Sequence, residues 1–132
     1  MFISRECDYA VRIIRQLVCG EKKKAEVICD AEKISVQFAY KILKKLEENG
    51  IVQVFRGVKG GYALAKPGSD ITLYDIYMAM ENHLALIACL EDGFVCPMNL
   101  CDSPCSVHQE FCRIQKVMES LMKEKTLDVL FA

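Results

Sequence analysis

No stretch of this 132-residue chain holds the roughly 18 consecutive apolar residues that a membrane-spanning helix needs, so no membrane association of that kind is expected. The N-terminus, MFISRECDYAVRIIRQL, interrupts its apolar positions with charges at helical spacing and lacks the layout of a secretory leader; the chain is therefore placed in the cytoplasm. No CxxC pair occurs, which removes the motif of thiol oxidoreductases and argues against a zinc ribbon. No substrate-binding motif and no cysteine-histidine-carboxylate set is recognisable, so an enzyme is not expected. Excess charge is also missing, the net value being -1. With 52% hydrophobic and 27% charged residues, the composition is that of a folded globular protein, and the length suits one domain with its own core.

The small net charge hides an asymmetry. Residues 1–66 carry 13 Lys and Arg against 8 Asp and Glu, a net +5, whereas residues 67–132 carry 4 against 10, a net -6. A basic half suits a polyanion such as DNA, and the acidic half would be repelled by it. The run Lys22, Lys23, Lys24 is read as solvated surface.

The basic half has a recognisable order of elements. Tyr9, Ala10, Ile13, Ile14 and Leu17 recur at helical spacing and predict a helix over 5–19, stopped by Gly20. A short helix is expected over 25–32. Ser35 can cap a third over 36–49, with Phe38, Ile42, Leu43 and Leu46 as its buried stripe. IVQVFRGVKGGYALA then reads as a β-hairpin, with strands 51–55 and 62–65 around a glycine-rich turn. Three helices followed by a hairpin is the order of a winged helix-turn-helix, so residues 1–66 are expected to bind double-stranded DNA. The third helix would enter the major groove, presenting Gln37, Tyr40, Lys41 and Lys44, while the wing would bring Arg56, Lys59 and Gly60 to the backbone.

The acidic half, 67–132, holds most of the thiols. Thr72 can cap a helix over 73–82, and the apolar residues 84–90 either extend it or approach a loop. CLEDGFVCPMNLCDSPCSVHQEFC, 89–112, contains five of the eight cysteines. Cys89, Cys96, Cys101 and Cys105, separated by 7, 5 and 4, could curl round a metal centre. Four thiolates would complete either a 2Fe-2S or a 4Fe-4S iron-sulfur cluster, and zinc would accept the same set; spacing does not choose between them. Reversible disulfide chemistry without metal is a further reading. Cys7, Cys19 and Cys29 are expected only to fill space. A long helix over 105–124 carries Val107, Phe111, Ile114, Val117, Met118, Leu121 and Met122, a stripe broad enough to seat a second copy in a twofold homodimer. TLDVLFA closes the chain as a short capped helix.

RECDYAVRIIRQL, ISVQFAYKILKKLEENGIVQVFRGVKGGYALAK and CSVHQEFCRIQ together resemble the Rrf2 family of winged-helix bacterial transcription regulators, which includes iron-sulfur and nitric-oxide-sensing repressors. The resemblance implies a mainly α, homodimeric winged helix-turn-helix with a two-stranded wing, a sensor loop over 89–105 and a C-terminal dimerisation helix, packed as one small domain. It implies operator DNA as partner and an iron-sulfur cluster in the loop. Cys89 and Cys105 match the family's first and third loop cysteines, Cys96 or Cys101 the middle one. His108 and Asp8 match residues that supply a further ligand in some branches. Cys89, Cys96 and Cys105 are taken as the core set, with Cys101 ahead of His108 and Asp8 for the remaining position.

Overall fold

The structure, a computed structural model, describes residues 2–100 and 102–132. Helix α1, Arg5–Arg15, begins where the Ser4 hydroxyl accepts from the Cys7 amide at 3.1 Å. It buries Cys7, Ala10, Ile13 and Ile14. It is shorter than its periodicity predicts. The amides of Gln16 and Leu17 bond to carbonyls three residues back, at Ile13 and Ile14, so the last turn tightens and the chain leaves the helix with Leu17 still fully buried.

Helix α2, Ala25–Glu32, ends at Lys33 in the left-handed conformation (φ 57°), and α3, Val36–Glu48, starts on the Ser35 cap. These bounds agree closely with those expected from the cap and the apolar spacing. Ala39, Ile42, Leu43 and Leu46 of α3 are buried, while Phe38 is half-buried and meets Tyr9 edge-on at 5.3 Å. Strands β1, Val52–Phe55, and β2, Gly61–Leu64, pair antiparallel with Val52 opposite Leu64 and Phe55 opposite Gly61.

Helix α4, Leu73–Glu81, has a complete capping box: the Thr72 hydroxyl accepts from the Asp75 amide at 3.4 Å and the Asp75 carboxylate accepts from the Thr72 amide at 2.8 Å. Thr72→Ala is expected to lower stability by about 1 kcal/mol, read as a drop in the urea midpoint; an unchanged midpoint would show that the cap is dispensable. Asn82, left-handed at φ 65°, ends α4, so residues 84–90 do not continue it; they lead through a 3₁₀ turn, Ala88–Leu90, into the cysteine loop. Helix α5 spans Ser106–Glu124 and α6 Leu127–Leu130.

One hydrophobic cluster draws on α1 to α4, on the start of β1, and on Leu127, whose amide donates to the Ile71 carbonyl at 2.9 Å and ties the C-terminal turn back onto the body. α1 and α3 both pack on α4, and α4 packs on α5. The molecule is thus mainly helical, a three-helix unit with a two-stranded wing followed by α4 to α6. Among the described residues no helix is long and apolar enough to cross a membrane.

Candidate functional site

On the side expected to meet DNA, α3 leaves Gln37, Tyr40, Lys41 and Lys44 exposed, as its buried stripe requires. Two of the four already have partners: Lys41 Nζ donates to Glu6 at 2.5 Å, and the Tyr40 hydroxyl to Glu26 at 3.4 Å. In the wing, Arg56 and Lys59 are exposed beside Val58 at the tip, which is 92% exposed and so has no packing role in the monomer.

The turn itself requires glycine at position 60. Its amide bonds to the Gly57 carbonyl at 2.9 Å, and a Cβ there would lie 2.8 Å from that same oxygen and closer still to the Phe55 carbonyl. Gly61, at φ 151°, would place a Cβ 2.8 Å from the Lys23 carbonyl. That close approach exists because Lys23 and Tyr62 exchange backbone hydrogen bonds at 2.9 and 2.7 Å, fastening the wing to the segment before α2. Lys22 in turn sits over the Phe55 ring at 5.0 Å. The lysine run is exposed at Lys22 and Lys24, as expected of solvated surface, but through Lys22 and Lys23 it also forms the root of the wing, a role no local pattern signals.

The thiols divide by environment. Cys7 and Cys29 are buried; burial, reinforced by the charge of Glu81, pushes the Cys7 thiol up to about 11, and burial likewise raises that of Cys29. Both suit the expected space-filling role, because little thiolate forms at neutral pH. Cys19 does not: it is exposed, its thiol pointing to the Gln16 carbonyl at 3.8 Å, because the chain has already left α1 at that point.

Cys89 lies in the 3₁₀ turn and its Sγ is 3.4 Å from His108 Nδ1, on the first turn of α5. Cys105 is the N-cap residue of α5, and its amide donates to Asn99 Oδ1 at 2.9 Å; the Asn99 amide donates to the Cys96 carbonyl at 3.1 Å. Asn99 therefore links the segments carrying Cys96 and Cys105. The loop is also pinned at its base, where the Leu86 amide donates to Gln115 of α5 at 3.0 Å. Cys101 lies outside the described residues. Asp8 is exposed on α1 and pairs with Arg12 at 3.8 Å. Among the described residues no three donors of the His, Cys, Asp and Glu types are gathered to hold a metal ion. The closest arrangement is the Cys89–His108 pair, flanked in the same loop by the half-buried Cys96 and Cys105.

The family model for the Rrf2 iron-dependent transcriptional regulators matches residues 3–132. The chain belongs to the Rrf2 family. Protein aau3 of Rhizobium meliloti is 34% identical over 101 residues, covering 74% of this chain and 66% of that one. The regulator NsrR of Oceanobacillus iheyensis is 30% identical over 98 residues, covering 70% of this chain and 65% of that one. The match thus spans just under two thirds of the length of these curated relatives. Among solved structures, CymR, the global cysteine regulator of B. subtilis, superposes with a TM-score of 0.79 at 23% identity over 98% of this chain and 95% of its own. IscR of T. potens gives 0.71 at 21% identity over 97% and 84%. These likenesses establish the Rrf2 winged-helix fold. As a member of this family the chain combines a helix-turn-helix with a two-stranded wing.

Proposed function

We propose that this Rrf2 regulator acts as a homodimer on double-stranded operator DNA, that α3 and the wing of the 1–66 region read the duplex, and that an iron-sulfur cluster in the 89–105 loop controls the reading. The observation that carries the control is the Cys89–His108 contact, which brings a thiol from the loop and an imidazole from α5 within 3.4 Å. Thiolate is a soft donor and imidazole a borderline one, and both suit iron, so the donor set fits such a group. Cys89, Cys96 and Cys105 would hold it, with His108 favoured by its contact for the fourth position and Cys101 completing an all-thiolate alternative. When bound, the cluster supplies a centre that responds to oxidants and to nitric oxide.

The protein's own contacts carry the consequence. Leu86 and Gln115 join the loop base to α5, α5 packs on α4, and Asn49 of α3 donates to the Ala79 carbonyl of α4 at 3.4 Å. A change in loop shape is thereby passed to the angle between the dimer helix and the recognition helix. About 1.4 kcal/mol of such coupling changes operator affinity tenfold.

The dimer is supported by α5 itself. Its broad stripe divides in two: Met118 and Met122 pack against the chain's own core, while Val107, Phe111, Ile114, Val117 and Leu121 stay exposed along about 21 Å of helix. A twofold copy would cover that row.

Anaerobic purification followed by absorption spectroscopy with iron and sulfide analysis tests the cluster. Visible charge-transfer bands with matching iron and sulfide are expected, and both should be lost in Cys89→Ser. Comparing Cys101→Ser with His108→Ala identifies the fourth donor, since only the true ligand's replacement depletes iron. A second reading is metal-free thiol sensing, for which the partly accessible Cys96 and Cys105 of the loop are the candidates. A colourless, iron-free protein whose DNA affinity follows oxidation would replace the cluster with that reading.

A further inference from the structure

Helix α3 carries three lysines, Lys41, Lys44 and Lys45, and two of them are engaged by one carboxylate from outside the helix. Glu6, in the first turn of α1, accepts from Lys41 through Oε1 at 2.5 Å and from Lys45 through Oε2 at 2.9 Å. The acid is the more buried partner, its side chain 24% exposed against 58% and 36% for the lysines, so both lysine side chains remain the more open to solvent. The hydrogen bonds from Lys41 and then Lys45 hold its carboxyl below the usual carboxylate range, so the charge is present at neutral pH. Among the described residues Lys44 makes no ion pair.

We infer that Glu6 is a positioning residue for DNA binding, which acts through Lys41 and Lys45 to limit the sequence-independent affinity of the recognition helix. The inference rests on the proposal that α3 is the element that meets DNA. A lysine that neutralises a phosphate releases a condensed counterion, and each such contact adds about 0.9 to the slope of log affinity against log salt. Two lysines tethered to one carboxylate deliver a single net charge to the backbone, and they must leave Glu6 to reach phosphates. Base contacts by the rest of α3 then supply a larger share of the total binding.

The test uses the full chain and a random-sequence duplex, with affinity measured by fluorescence anisotropy over a salt series. Glu6→Gln keeps the side-chain shape and removes the charge. It is expected to bind about tenfold tighter at about 0.1 M salt, with the slope steeper by about one. Adding Lys41→Ala and Lys45→Ala to Glu6→Gln is expected to abolish the gain. An unchanged slope in Glu6→Gln overturns the inference, as does a gain that survives loss of both lysines, since Glu6 would then act by direct repulsion. Lys41→Ala in the native background gives a measurement that does not depend on the glutamine variant. It removes the single net charge of the group and should weaken binding by about as much as Glu6→Gln strengthens it, with the slope shallower by about one; an unchanged affinity and slope overturns the inference, since the lysine would then not reach phosphate. If the wild-type protein bound no duplex at any salt, the proposal for α3 would fall first and take this one with it.

Discussion

Replacing both Val117 and Leu121 with glutamate is expected to convert the protein to a monomer and to weaken its hold on an operator duplex by about a hundredfold or more. The two side chains are 49% and 63% exposed in the single chain and stand one turn apart on the outer row of α5. They do not support the chain's own core, a task that falls to Met118 and Met122 on the adjoining face. Glutamates there should leave the thermal transition of the monomer close to its own baseline, while placing like charges opposite each other across the twofold axis. Loss of the second recognition helix removes the intramolecular advantage of a linked pair, which accounts for the size of the effect. Light scattering and operator titration, run on the same samples, provide the check. A double variant that remains dimeric would place the interface elsewhere.

The second large effect concerns the seam between α1 and α2. Glu32 is 2% exposed, yet it is fully partnered: Arg15 Nε donates to it at 2.9 Å, Arg12 Nε at 3.3 Å and Gln16 Nε2 at 2.6 Å, and a further Arg15 nitrogen pairs with it. Arg12 also donates to the Glu32 carbonyl at 2.5 Å. The damage from mutation should be unequal. Arg12→Ala with Arg15→Ala strands a buried carboxylate, at a cost of about 3–5 kcal/mol, a large part of the stability of so small a domain. Glu32→Gln leaves arginine side chains that are 33% and 49% exposed and can be hydrated, so its cost should be clearly smaller. The bonds from Arg15 first, and then those from Gln16 and Arg12, hold the Glu32 carboxyl below its ordinary value of 4.5 against the opposing effect of burial. A depressed folded value means that the stabilisation is complete above the ordinary value and is lost as pH falls through the folded one. Denaturant midpoints compared at about pH 7 and about pH 3 should show Glu32→Gln losing less on acidification than wild type. Equal losses would mean that Glu32 contributes nothing to acid sensitivity.

What could be read in advance was local. Ser35 and Thr72 announce the starts of α3 and α4 because a cap acts within one turn, and the apolar spacing of 36–48 places α3 and its exposed candidates correctly. The hairpin follows from its β-branched runs and glycines. What escaped was contact between distant parts of the chain. Nothing near Glu32 in AEVICDAE indicates that α1 will supply its arginines, and nothing in the 22–24 lysine run indicates a backbone bridge to Tyr62. That His108 meets Cys89 was not legible either, since a turn of α5 decides which side chain faces the loop; Cys101 lies outside the described residues. The stripe of α5 was visible as a whole; only the packing of α4 against it separates the inward methionines from the outward row. Cys19 was misplaced for the related reason that α1 ends early, which is decided by how its last turn tightens.

The bridge between Lys23 and Tyr62 carries one more consequence. It clamps the hairpin to the start of α2, and α2 packs against α3, so α3 and the wing are tied into one unit. On the function proposed above, a signal arriving at the loop would move that unit as a whole rather than reshape it. In the proposed dimer such a signal would alter the distance and tilt between two of these units, so the separation of operator half-sites should matter as well as their bases, and inserting one base pair between the half-sites is expected to weaken operator binding.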